Sequence, residues 1–155
     1  GDGPMKEELE KSVQESFLKD HVSFLGHVPY DKIGECYAMA DIFVIPSLKE
    51  ARPLVLSEAQ FHGLPSVGSN ISTIANIIDH GKNGLLFKTE DAFDLSQQIK
   101  ALVSNPELRE QLGRKARHTY RQSYVYEHMI ADYKAFYENT MQSFKFGNTK
   151  RNGGR

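Results

Sequence analysis

Two glutamates with seven residues between them, Glu50 and Glu58, bracket the start of a helix in the stretch Asp41 to Gly68, DIFVIPSLKEARPLVLSEAQFHGLPSVG. Proline suits the first helical position because its missing N–H has no partner there. The amides expected to point out of a helix opened by Pro53 are therefore those of Leu54 and Val55. Such amides, with the helix dipole behind them, make an anion site. Carboxylates repel phosphate, so both glutamates must serve something else, and sugar and ribose hydroxyls fit. Glu58 stands about 7.5 Å along the axis from Pro53 at the usual helical rise. It can reach a group one nucleotide unit away from whatever Glu50 touches. The plainer alternative is that Glu50 only favours the dipole and that Glu58 is a solvated helix residue. Spacing alone leaves the two readings level.

The elements that hold this stretch alternate short apolar runs with amphipathic ones, the pattern of an α/β fold with a parallel sheet. Strands are expected at Val22 to Leu25, Ile42 to Ile45, Ser66 to Gly68 and Leu85 to Phe87. Ile42 to Ile45 is apolar throughout, as a strand buried on both faces should be. Helices are expected from Pro4 to about Leu18, Asp31 to Met39, Pro53 onward, for one or two turns within Ile74 to Asp79, through Leu95, Ile99, Leu102 and Val103, from Pro106, and from Tyr126 to Met141. The candidate residues then sit after strand C-termini, where open α/β sheets bind ligands.

Length and composition bound the rest. The 155 residues suit one domain, and 39% apolar with 25% charged residues is ordinary for a globular chain. A net charge of −1 gives no push toward nucleic acid. Cys36 is alone, so there is no disulfide framework or cysteine-rich metal site, and a reducing, cytoplasmic setting is expected. The six histidines show no metal-ligand spacing, and no nucleophile elbow or Walker loop is present.

Four motifs in order carry a family likeness: Glu50, then Glu58-Ala59 after seven intervening residues, His62-Gly63-Leu64-Pro65-Ser66-Val67, and the turn Asp79-His80-Gly81-Lys82-Asn83-Gly84-Leu85-Leu86; the opening turn Gly1-Asp2-Gly3-Pro4 adds to it. Together they resemble the C-terminal, donor-nucleotide-binding half of retaining GT-B glycosyltransferases. The nearest likeness is the large bacterial-type group that makes capsules, exopolysaccharides, lipopolysaccharide cores and glycolipids. The likeness runs from Gly1 to about Met141.

The resemblance implies a Rossmann-like parallel sheet flanked by helices, lacking its first strand-helix-strand elements. It implies retaining transfer of a hexosyl group from a nucleotide-diphosphate sugar to a glycan or lipid-linked acceptor, with no obligatory metal or other cofactor. Glu50 becomes the catalytic candidate at the sugar hydroxyls, and Glu58 the residue for the ribose diol. Arg52, Pro53, Leu54 and Val55 join Glu58 in donor binding, and Val28, beside His27, is the base-side residue. The family usually has a glutamate where this chain has Asn76 and glycines within Ser69 to Thr73, a polar loop placed to bound a sugar pocket. The Arg and Lys that hold the diphosphate in the family, and its N-terminal domain, lie outside these residues. The chain is read as a fragment, inactive alone and prone to self-association. Two alternatives stay open: a sugar-nucleotide epimerase of the same fold, and a non-catalytic interaction module.

Two further features qualify this reading. The helix from Pro106 carries Arg109, Arg114, Lys115, Arg117 and Arg121, which read as a solvated face diluted by Glu107 and Glu110, with peripheral contact at the inner face of a membrane as the second reading. The stripe Tyr126, Met129, Ile130, Tyr133, Phe136 and Tyr137 has helical spacing and is expected to lie partly bare. Residues 1–141 then form the partial donor domain, and 142–155 are expected to be a basic, Gly-rich, disordered tail.

Overall fold

The computed structural model describes residues 2–123, 130, 131 and 133–141. The chain falls into two compact units, Gly1–Ala40 and Asp41–Arg155.

In the first unit, α1 spans Lys6–Gln14 after a turn at Pro4 and Met5, with Glu7 and Glu8 in its first turn and Lys11 in its last, each favouring the dipole. It stops short of Leu18 because the Ser16 hydroxyl donates to the Val13 carbonyl (2.8 Å) and accepts the Leu18 amide (3.1 Å). Such local bonds offer the backbone a turn in place of another helical rung. The expected strand at Val22 to Leu25 is not formed. Its residues are irregular and have no ladder partner among the described residues, the Val22 amide donates back to the Leu18 carbonyl, and Leu25 is largely exposed. An apolar run becomes a strand only when a neighbour supplies hydrogen bonds. α2 runs from Ile33–Met39, two residues later than expected, because Lys32 and Ile33 both donate to the Pro29 carbonyl in a preceding turn.

The second unit holds β1 (Phe43–Ile45), α3 (Leu54–Phe61), β2 (Ser66–Ser69), α4 (Ser72–Ala75), β3 (Leu85–Phe87), α5 (Ala92–Ser104) and α6 (Pro106–Ser123). The three strands are parallel in the order β1-β2-β3, with Val44 opposite Val67 and Val67 opposite Leu85. Their side chains alternate between two cores, as a pleat requires. Val44, Val67, Leu85 and Phe87 pack with Leu102 and Leu112 of α5 and α6. Phe43, Ile45 and Leu86 pack with Leu56 of α3 and with Ile74 and Ile78. A sheet covered on both faces is the arrangement expected of a parallel α/β fold.

Helix α4 starts two residues before the expected Ile74, and the amides of Ile77 and Ile78 both close onto the Ile74 carbonyl. On α5, Leu95, Ile99 and Leu102 face the core while Val103 is 60% exposed, contrary to expectation. One further helical step of about 100° carries it past the edge of the apolar stripe. Residues 133–141 are helical, and Tyr133, Phe136, Tyr137 and Met141 are each more than half exposed. Tyr126 and Met129 of that stripe, and the tail 142–155, lie outside the described residues.

Candidate functional site

At the carboxyl ends of β1 and β2 a short run of hydrogen bonds through Ser69, Ser47 and Glu50 ties the two strands together. Ser69 closes β2, is fully buried, and donates its hydroxyl to the Ser47 carbonyl at 2.5 Å. Ser47, just past β1, donates its own hydroxyl to Glu50 Oε1 at 2.9 Å. The Glu50 carboxylate is thus half-buried, oriented, and left with one oxygen not used by Ser47. Ser69 was expected in the polar loop beside the sugar pocket, but its bond to Ser47 was not. The signal was present in the Pro46-Ser47 turn, since serine hydroxyls habitually bond nearby loop groups.

The start of α3 differs from expectation in one decisive detail. Pro53 is the N-cap, not the first helical residue, with φ −75° and ψ 75°. Those angles are an inverse γ-turn, and the Leu54 amide donates to the Arg52 carbonyl at 2.8 Å. The Leu54 N–H expected to be free is therefore engaged. Pro53 is buried, Arg52 is exposed, and Leu54 and Val55 present 54% and 44% of their surface. Glu58 lies half-buried on the same helix. Its far end closes in a Schellman motif, with Gly63 at φ 76°, its amide on Gln60, and the Leu64 amide on Ala59. His62 is the C-cap, and its ring meets Phe61 edge-on at 5.2 Å.

In α4, which follows β2, Thr73 Oγ1 is buried with no hydrogen-bond partner among the described residues. Buried polar groups are rarely left so, which makes Thr73 a candidate for a ligand bond. Asn76 caps the end of α4. Val28 is half-buried in the first unit, which is described by itself. No cluster of three or more histidine, cysteine, aspartate or glutamate side chains able to hold a metal occurs among the described residues.

The basic face of α6 is smaller than its sequence suggests. Arg109 donates to the Leu102 and Val103 carbonyls at 2.8 and 2.9 Å, closing the end of α5, and Arg114 pairs with Glu110. Among the described residues no helix is long and apolar enough to cross a membrane.

A parallel sheet with a carboxylate held at its carboxyl edge and a helix starting beside it has many possible owners. The family model for glycosyl transferases group 1 matches residues 1–119. The chain belongs to that family. This group 1 chain is 31% identical over 147 residues to N-acetyl-alpha-D-glucosaminyl L-malate synthase of Bacillus anthracis, covering 95% of itself and 38% of that protein. Among solved structures it is similar to sucrose-phosphate synthase from Thermosynechococcus elongatus, with a TM-score of 0.79 at 26% identity over 92% of this chain and 36% of that one. It is also similar to a mutant of S. aureus TarM in complex with fondaparinux, alpha-GlcNAc-glycerol and UDP, with a TM-score of 0.78 at 25% identity, covering 86% of this chain and 27% of that one. The group 1 chain thus spans well under half the length of these relatives, and it shares the GT-B fold of such transferases.

Proposed function

We propose that the chain is the donor-binding half of a retaining hexosyltransferase that takes a nucleotide-diphosphate sugar and passes the sugar to a glycan or lipid-linked acceptor. The observation that carries this is the Ser69–Ser47–Glu50 relay, which holds a carboxylate at the carboxyl edge of a parallel sheet. Glu50 accepts hydrogen bonds from the sugar hydroxyls and Glu58 from the ribose diol. Arg52 and the amides of Leu54 and Val55 meet the diphosphate, whose negative charge grows as it leaves.

For the Leu54 amide to do so it must let go of Arg52. Rotating Pro53 ψ from 75° toward helical values opens the γ-turn, adds a residue to α3 and aims the N–H outward. Phosphate then replaces a carbonyl as the acceptor of the same proton. TarM, a relative in fold, is seen with UDP, which makes UDP the first nucleotide to try.

Thermal unfolding of the 155-residue chain with UDP, GDP, ADP and UDP-glucose tests the donor reading. One nucleotide should raise the midpoint in a concentration-dependent way, since a ligand that binds only the folded state stabilises it. No shift with any of them sinks the reading. Transfer itself is tested by supplying the full-length protein with radiolabelled donor. Release of sugar to water or a change of epimer, in place of a new glycoside, would favour another chemistry.

A further inference from the structure

The turn that leads into β3 and the middle of α6 border a second feature, at the end of the sheet opposite the serine relay. It is an open groove of about 900 Å³, inside the roughly 300–1,000 Å³ typical of small-molecule sites. Gln111, Lys115 and Thr119 of α6 line one wall at four-residue spacing, which puts them on one helix face. Asn76, His80 and Lys82 line the other.

This rim is rich in donors. His80 Nδ1 accepts the Leu86 amide at 2.9 Å, so the neutral ring carries its proton on Nε2 and is a donor there. Lys115 makes no ion pair among the described residues, while Lys82 is 2.7 Å from Asp79 Oδ2. Among the described residues Asp79 is the only carboxylate in the lining, and Lys82 is paired with it. The turn itself is fixed: Asn83 accepts the Asp79 amide at 2.7 Å and donates to the Ile77 carbonyl at 3.0 Å. Two ammonium groups and an imidazole N–H around a cavity match a ligand with several anionic oxygens.

We propose that this groove is a second ligand site, separate from the Glu50 loop, that takes a small multi-oxygen anion such as a phosphate ester or polycarboxylate. Lys115 and His80 grip it from opposite walls, and Lys82 shares its ammonium between Asp79 and the ligand. The groove gives the Asp79 to Gly84 turn a face beyond its connection into β3.

Titration of the ¹⁵N-labelled 155-residue chain with inorganic pyrophosphate, and in parallel with citrate, tests this. The amides of Gly81, Lys82, Leu86, Lys115 and Thr119 should move together and saturate with at least one probe. Lys115→Ala should weaken that response roughly tenfold, the worth of one charge-assisted bond, and Lys115→Arg should restore it. Both variants should keep the parent's spectral dispersion, because Lys115 is exposed. Movement confined to residues 47–58, or equal affinity in Lys115→Ala, overturns the site. Saturation by hexaglutamate but by neither small probe also overturns it, in favour of an acidic protein partner.

Discussion

Gly113 of α6 and Gly63 at the end of α3 meet backbone to backbone: a methyl group on Gly113 would collide with the Gly63 carbonyl oxygen and lie 3.5 Å from Pro65 Cδ. In an exposed helix, glycine to alanine stabilises by roughly 0.5–1 kcal/mol. Here the sign should reverse. Gly113→Ala is expected to lose about 1–3 kcal/mol, the usual range for overpacking, as α3 is pushed from α6. Urea denaturation of parent and variant measures it, and a variant as stable as the parent would show that the two helices yield without cost.

The two glutamates should separate by ligand. Glu58→Gln is expected to weaken bare nucleoside diphosphate by roughly tenfold to a hundredfold, since bonds to a charged group are worth about 1.5–3 kcal/mol. Glu50→Gln should bind the bare nucleotide almost as the parent does while losing affinity for the sugar nucleotide. Calorimetry of both variants of the full-length protein with both ligands decides the division. Equal losses for bare nucleotide would leave two solvated carboxylates and no division of labour.

Thr73→Val removes a buried hydroxyl that has no partner among the described residues and keeps the shape. The apo chain should hold or gain up to about 1 kcal/mol, because an unsatisfied buried group is a liability. Sugar-nucleotide binding should fall while bare nucleotide binding stays. A clear loss of apo stability would mean that the hydroxyl has a structural partner after all.

Acid should act through Asp94. The Lys88 amide at 2.7 Å, and next Gln98 at 2.9 Å, hold its carboxyl below the ordinary carboxylate range. A lowered folded pKa gives stability that is complete above the ordinary carboxylate pKa and is lost as pH falls through the folded one. Asp94→Asn should therefore be less stable than the parent at neutral pH, and the gap should close on the acid side. Denaturation midpoints for both chains across that range measure it; a gap independent of pH would rule the linkage out.

The exposed stripe of Tyr133, Phe136, Tyr137 and Met141 offers apolar surface to any neighbour. Sedimentation of the 155-residue chain should show association that rises with concentration and falls in Tyr133→Lys with Phe136→Lys. A monomer throughout would mean that the stripe does not drive contact.

Much of this architecture was legible because apolar period and burial coincide. Leu85 to Phe87 became β3 as read, and Pro106 opens α6 as read. Where the outcome turned on a hydrogen bond between distant residues, the sequence was silent. The run Val22 to Leu25 has the apolar content of a strand but no ladder among the described residues, and the engagement of the Leu54 amide depends on one torsion of Pro53 that residue type leaves free. Ser69 reaches Ser47 across 22 positions, a distance no local pattern reports. Asp94 escaped notice because its partners are a backbone amide and a neutral amide side chain, neither of which marks a charge pair.

The γ-turn at Pro53 also bears on how fast a ligand can be captured. The proline ring already holds φ at −75°, inside the narrow band that both the turn and a helix accept. Passage between them turns on Pro53 ψ, with compensating torsions in the loop before it, and needs no peptide-bond isomerisation with its barrier of about 18–20 kcal/mol. Motion of this kind in a surface loop belongs to the nanosecond-to-microsecond range. In the proposed donor binding, arrival by diffusion would then set the rate of association, and not the reshaping of the helix end.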